Sequence, residues 1–301
     1  MKSLRIFTIL LCLLILIPLA STAKGADTTI HYCVSIHPLA AILKEITNGR
    51  AKVDRLLAPG KSPHTFEPTP SDLKSLEKAQ AFFYVGPGLD GEWVKGLPIR
   101  GKIAMIDLIP AAHQLKMAGN HEHHHQENHE EKAMTDPHFW TDPLTVKEMV
   151  PQLIAQLGRI DPAGMGIYTA NGERFKDQLD QLDKKLSKTL KPLTGEPLLL
   201  FHPSFNYLFH RYGLKSAGVV VESPGREPSP KFLVKLVKRI KAEKIKALFT
   251  EPQLAKQPAQ VLAEAANIPV YEIDPMGGVA GRESYSELLL YNAAVLSKAL
   301  H

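Results

Sequence analysis

Three histidines and one aspartate stand where loops would hold their side chains at the ends of predicted strands. His64 lies in a loop with prolines and a glycine nearby, and His138 directly follows a proline. His202 and Asp274 each follow an apolar run, and each precedes a proline. Proline restricts the backbone and so holds a neighbouring side chain in a fixed position. In open α/β sheets, bound molecules and ions lie beyond the carboxyl ends of the strands. The four residues are therefore candidate ligands.

These four side chains together offer the chemistry of a tetrahedral zinc site. Three neutral imidazoles and one carboxylate bind zinc at about 2.0 to 2.2 Å. Each residue alone also has an ordinary explanation, because a lone histidine is more often a satisfied polar group and aspartate before proline often opens a turn. Glu251 also ends an apolar run. It is either an acceptor for the ring N–H of a ligand imidazole or a purely structural carboxylate.

Short apolar runs alternate with helical patterns in both halves of the sequence. They cover residues 30–35, 53–57, 81–85 and 103–106 in the first half, and 198–201, 218–221, 247–250 and 270–273 in the second. This alternation predicts an α/β fold of two lobes, each with a parallel sheet flanked by helices. The runs of the second half are expected to be buried on both faces.

Apolar residues at helical spacing predict one long amphipathic helix between the lobes. They recur at steps of three and four: Phe175, Leu179, Leu182, Leu186 and Leu190. We predict an N-terminal lobe over residues 24–162, a linking helix over 163–191 and a C-terminal lobe over 192–301. A single stiff helix would limit hinge motion between the lobes.

The first residues have the pattern of a secretory signal peptide. Two positive charges precede an apolar run that ends in small residues near Ala23. The run is too short to span a bilayer comfortably. We expect cleavage of residues 1–23, a mature chain that is not inserted in the membrane, and a periplasmic or other extracytoplasmic location. Lipid anchoring at Cys12 stays open, and Cys33 has no cysteine to pair with in the mature chain.

A second candidate for metal binding is a polar loop over residues 120–132, rich in histidine. Its core, residues 121–130, has no apolar residue and cannot bury a core. We expect a mobile surface loop that binds zinc weakly through five histidines: His121, His123, His124, His125 and His129.

The overall charge does not indicate a nucleic-acid partner. The formal net charge is +5. The basic residues are spread over helices, such as the segment 231–246, and we expect acids nearby to balance them on a solvated face. No basic stretch interleaved with aromatic residues is typical of a nucleic-acid module.

The contexts of the four candidate ligands resemble the motifs of the metal-binding proteins of zinc and manganese ABC transporters, and of the zinc-specific ZnuA-like members in particular. The motifs are SPHTFEPTPSD at 62–72, DPHFW at 136–140, FHPSF at 201–205 with RYGL at 211–214, and YEIDP at 271–275. The histidine-rich loop is typical of the zinc-specific members. The chain departs from some members in lacking a cysteine pair that forms a disulfide.

This resemblance implies two lobes joined by a rigid helix, with the metal held in the cleft between them. It carries the ligand role onto His64, His138, His202 and Asp274. It further implies Zn²⁺ as the bound ion, a monomeric protein, and the membrane permease of a metal ABC importer as the partner.

Three other functions remain open. The chain could be a manganese-binding member of the same family, a metal-storing surface protein or adhesin, or a zinc-dependent hydrolase. A hydrolase needs an open coordination position for water, whereas four protein ligands close the site. The sequence has none of the common hydrolase or phosphate-loop motifs. We therefore expect that the protein is not an enzyme.

Overall fold

The computed structural model describes residues 30–99, 101, 103–109, 112, 114–115, 135–225 and 228–300. The predicted signal peptide and the histidine-rich loop 120–132 lie outside the described residues. No helix within the described ranges is long and apolar enough to cross a membrane.

The first lobe is built on a four-stranded parallel sheet. Its strands are β1 (Ile30–Val34), β2 (Ala51–Arg55), β3 (Ala81–Tyr84) and β4 (Ala104–Asp107), in the order β2-β1-β3-β4. The connecting helices are α1 (His37–Thr47), α2 (Pro70–Leu76) and α3 (Gly91–Lys95). The strand order reverses between β1 and β3, which opens a crevice at the carboxyl ends of these strands.

The second lobe repeats this arrangement. Its parallel strands are β5 (Pro197–Leu200), β6 (Lys215–Val219), β7 (Leu248–Thr250) and β8 (Val270–Glu272), in the order β6-β5-β7-β8. Its helices are α6 (Asn206–Tyr212), α7 (Pro230–Ala242), α8 (Lys256–Ala266) and α9 (Tyr285–Leu300). The order reverses between β5 and β7. The predicted fold, two parallel-sheet lobes, is thereby confirmed.

Within the second sheet, only the two central strands, β5 and β7, are buried on both faces. The apolar residues of β5 and β7 are buried, whereas β8 is half-buried throughout and β6 begins with exposed residues. The expectation that all four runs are buried was wrong for residues 218–219 and 270–272, which are half-buried because they lie in edge strands with a neighbour on one side only, whereas Val220, Val221 and Ile273 are buried.

The chain between the two sheets forms two long helices, and the second of them joins the lobes. They are α4 (Pro143–Ile160) and α5 (Met165–Leu190), and α5 contains the predicted stripe of apolar residues. All five residues of that stripe are buried. Helix α5 packs against α4, against α1 of the first lobe and against α9 of the second. With 26 residues it is about 39 Å long. One continuous apolar core therefore runs through both lobes and the linking helix.

The basic segment 231–246 is exposed but only partly balanced by acids. Arg239 pairs with Glu243, and Lys246 pairs with Glu196. Four other lysines of α7, namely Lys231, Lys235, Lys238 and Lys241, form no ion pair with any residue that the structure describes. The expectation of general balance was wrong for these four, because they share the outer face of α7 and that helix contains no acidic residue.

Candidate metal centre

His64 is held in a short 3-10 turn, Pro63–Thr65, in the loop that follows β2. The indole nitrogen of Trp93 donates a hydrogen bond to the Pro63 carbonyl at 3.1 Å, which fixes the turn against the first lobe. Gly88, at a φ of 88°, hydrogen-bonds to the imidazole through its backbone. Glycine adopts this backbone conformation at no steric cost. The turn thus places one imidazole beside the crevice of the first sheet.

The second ring nitrogen of His64 is available to bind a cation. Nε2 is buried and has no hydrogen-bond partner in the described part of the chain. Burial, followed by the neighbouring rings of His138 and His202, lowers the pKa of His64 to about 2. The ring is therefore neutral at physiological pH, with a lone pair free to bind a metal.

His138 is oriented by a carboxylate two residues before it. Oδ1 of Asp136 accepts hydrogen bonds from the backbone N–H of His138 at 2.9 Å and from its Nδ1 at 2.8 Å. Oδ2 accepts from the side-chain amide of Asn206 at 2.9 Å. Burial of Asp136 raises its pKa, but the adjacent His138 and these hydrogen bonds outweigh burial, and the net pKa is lowered. Asp136 thus stays ionised, and it leaves Nε2 of His138 as the ring nitrogen available for a ligand bond.

His202 lies just beyond β5, at the point where the second sheet reverses its strand order. Its Nδ1 lies 3.3 Å from Oε1 of Glu251, which follows β7. The hydroxyl of Ser204 donates to the same oxygen at 2.6 Å. The geometry agrees with the interpretation of Glu251 as an acceptor for a ligand imidazole, and all three residues are buried.

The structure brings the three histidines together from both lobes. One ring nitrogen of each lies within 4.8 Å of the others, and the ring centroids are 5.0, 5.2 and 5.6 Å apart. A cavity of about 10 Å³ lies between them. A cavity of this size holds about one water molecule, so it has room for a single ion.

Asp274 lies just beyond β8 but is not a member of this group of three. Its Oδ1 accepts from Nε2 of Gln253 and from the backbone N–H of Met276, each at 2.9 Å. Its Oδ2 accepts from Nη1 of Arg282 at 2.9 Å. The carboxylate is 2% exposed, and Arg282 supplies the positive charge that makes this burial favourable. Three of the four candidate ligands therefore meet, and the fourth is paired with an arginine.

Aromatic residues near the candidate ligands have different roles. Trp140 lines the cavity, with its ring centroid 5.4 Å from that of His138. Its indole nitrogen donates to the Pro275 carbonyl of the second lobe at 2.7 Å. Phe66 does not line the cavity and packs instead edge-on against Trp93, with centroids 5.1 Å apart. Of these two aromatic residues, which each lie two residues from a candidate ligand in the sequence, only Trp140 is placed to exclude water from the cavity.

Two residues near the site escaped the sequence analysis. Asp136 could have been noticed, because a carboxylate close to a ligand histidine often orients its ring. Gln253 follows Glu251 and Pro252, but nothing in its local context indicates that its amide reaches Asp274 across a gap of 21 residues.

Comparisons with known proteins agree with this geometry. A family model described as zinc-uptake complex component A, periplasmic (ZnuA), matches residues 33–299. A protein of Thermotoga maritima named for metal binding is 32% identical, covering 97% of this chain and 98% of its own length. The high-affinity zinc uptake system protein ZnuA of Bacillus subtilis is 26% identical, covering 93% and 92%.

The same relationship is found among solved structures. A crystal structure of ZnuA superimposes with a TM-score of 0.79 at 27% identity, covering 91% of this chain and all of that one. The family model covers almost all of the described chain, including the three histidines and Asp274. The chain therefore belongs to the ZnuA family, the periplasmic component A of zinc-uptake complexes.

Proposed function

We propose that this protein captures a zinc ion outside the cytoplasmic membrane and delivers it to the permease of an ABC importer. His64, His138 and His202 bind the ion through Nε2, and Asp274 completes the site. Zinc is the transported substrate here. The observation that carries the proposal is the convergence of three imidazoles, two of them buried and that of His64 half-buried, each with one ring nitrogen held by a protein group.

The donor set favours zinc over manganese. Three nitrogen ligands suit zinc, whereas manganese favours oxygen ligands and a higher coordination number, and it lies lower in the affinity order of divalent ions. The chain's likeness to zinc-uptake proteins supports the same ion. Asp274 joins the site when its Oδ2 releases the hydrogen bond from Arg282 and binds the ion instead.

The dimensions of the site favour transport over catalysis. A hydrolase needs room for a substrate next to a metal-bound water. The cavity of about 10 Å³ is filled by the ion alone. Enclosure of this kind suits a protein that carries an ion and later releases it to a partner.

The remaining features of the proposal concern segments around this site. Residues 1–23 direct export and are removed, which leaves a monomeric periplasmic or extracytoplasmic protein. Its lobes span residues 24–162 and 192–301, with the linking helix over 163–191. The histidine-rich loop 120–132 collects zinc with lower affinity than the cleft does.

The ligand assignment is tested by replacing His64, His138 and His202 singly with alanine and measuring zinc affinity by competition with a chelator. Each change removes one ligand from a closed site and is expected to weaken binding by more than about 100-fold, above the loss typical of residues that only orient ligands. The matched control is His210→Ala, since His210 is exposed on α6. Wild-type affinity in all three variants would refute the assignment.

A further inference from the structure

The two oxygens of Asp274 have unequal surroundings. Oδ1 accepts two hydrogen bonds, from Gln253 Nε2 and from the Met276 backbone, whereas Oδ2 accepts one, from Arg282. The side chain of Asn292 holds the backbone of Asp274. Its Oδ1 accepts from the N–H of Asp274 and its Nδ2 donates to the carbonyl of Asp274, each at 2.7 Å. Because an ionised carboxylate oxygen has about two acceptor positions, Oδ1 is saturated and Oδ2 is the oxygen that can exchange its partner.

The amide of Gln253 can face Asp274 in only one orientation. The carboxylate is an acceptor only, so the NH₂ end of the amide must point toward it. The other end, Oε1, is consequently buried without a hydrogen-bond partner among the described residues. Gln253 also lines the cavity that the three histidines surround. Buried acceptors without partners are rare, so the hydrogen bond to Asp274 is what fixes this side chain.

We propose that Gln253 determines metal specificity by occupying Oδ1 of Asp274, so that this carboxylate offers a bound ion one oxygen only. With three imidazoles, the ion then has four ligands, as zinc prefers. Manganese favours more oxygen ligands and would need both carboxylate oxygens. The inference rests on the proposed function, in which Asp274 completes the site. Gln253 is a positioning residue, because it acts on the ion through Asp274.

The test is the variant Gln253→Leu, which keeps a similar side-chain size and removes the hydrogen bond. One of the two acceptor positions of Oδ1 then becomes available to the ion, while the backbone N–H of Met276 keeps the other, and the ion can bind Oδ1 together with Oδ2. The ratio of the zinc to the manganese association constant is expected to fall by about tenfold or more, as is typical when a group that holds a metal ligand is lost. X-ray absorption spectroscopy should show one more oxygen neighbour around bound manganese. A purely structural role for Gln253 would leave that oxygen count unchanged.

A second variant and a control separate this effect from misfolding. Gln253→Met keeps the length of the side chain, but it has no N–H or O–H group to donate to Asp274, so the ratio should change in the same direction. Gln260→Leu makes the same chemical change on an exposed position of α8 and should leave the ratio unaltered. Thermal unfolding of the metal-free proteins shows which variants fold.

The outcomes distinguish the inference from the function on which it rests. A folded Gln253→Leu variant with the wild-type ratio and oxygen count overturns the inference and leaves zinc capture by the histidines intact. Unchanged zinc affinity in all three alanine variants, at His64, His138 and His202, overturns the proposed function instead. If neither Gln253 variant folds, a crystal structure of the zinc-loaded wild-type protein decides the matter: one bound oxygen of Asp274 supports the inference, and two overturn it.

Discussion

Replacing Asp136 by asparagine should weaken zinc binding, although Asp136 does not bind the ion in the proposed site. Its Oδ1 accepts two N–H groups from His138, and its Oδ2 accepts one from Asn206. An asparagine of the same shape must turn its NH₂ group toward one of these donors. If the NH₂ group faces His138, two donors oppose each other and the ring loses its fixed orientation; if it faces Asn206, the amide of Asn206 must turn over, and His138 keeps only a neutral acceptor in place of a carboxylate.

The size of the effect follows from this geometry. Loss of a group that orients a metal-bound histidine costs about 10- to 100-fold in affinity. At about 1.4 kcal/mol per factor of ten, this corresponds to about 1.4 to 2.8 kcal/mol of binding free energy. Loss of the charged acceptor of the His138 N–H groups should also lower the free energy of unfolding of the metal-free protein by about 1 kcal/mol, and by up to about 3 kcal/mol if a donor is left unpaired.

Two measurements separate these effects. Competition with a zinc chelator gives the affinity, and urea unfolding of the metal-free protein gives the stability. The control is Asp180→Asn on α5, which removes a partly exposed ion pair with Lys147 of α4. It should leave zinc affinity unchanged. A folded Asp136→Asn protein with wild-type zinc affinity would show that the hydrogen bond to Nδ1 does not prepare His138 for a metal, and the reasoning would be wrong.

Further predictions concern stability and the histidine-rich loop. The hydrogen bond from Arg50 holds the pKa of Asp161 below its usual value, so its stabilising effect is present above about pH 4 and is lost as the pH falls through the lowered pKa. The stability advantage of the wild type over Asp161→Asn in urea should therefore shrink in acid, and an advantage that grows in acid would contradict the assignment. Leu182→Ala, in the core of the linking helix, should cost about 2 to 5 kcal/mol of unfolding free energy. The exposed Ile167→Ala should cost less than about 0.5 kcal/mol in the same urea titration, and equal losses would mean that α5 does not carry the core. Deleting residues 120–132 should lower the zinc stoichiometry measured by calorimetry and spare the tight site, and loss of tight binding would refute an auxiliary role.

Much of the fold was predictable from local patterns. Strands β1, β5 and β7 coincide closely with apolar runs in the sequence, because central parallel strands are covered on both faces and tolerate few polar residues. Strand β6 was placed less well. It begins at Lys215, before the apolar run at 218–221, because an edge strand does not require continuous apolar residues.

The sequence by itself determined which residues could approach an ion. His64, His138 and His202 each stand next to a proline and beyond or between predicted strands. Such local features hold a side chain at the edge of a sheet wherever the rest of the chain lies. The structure accordingly brings these three rings together.

Only the tertiary structure decided how each of these groups is held. Asp274 stands in the same kind of local context as the histidines, yet its carboxylate is engaged by Arg282 and Gln253. Nor does the sequence indicate that Asn206 completes the hydrogen bonds of Asp136, 70 residues away along the chain. A buried polar group must be paired, but the partner is whichever group the packing of separate segments places within about 3 Å. Proline and hydrophobic patterns therefore position the candidate ligands locally, whereas the packing of separate segments, within a lobe or between lobes, selects their partners.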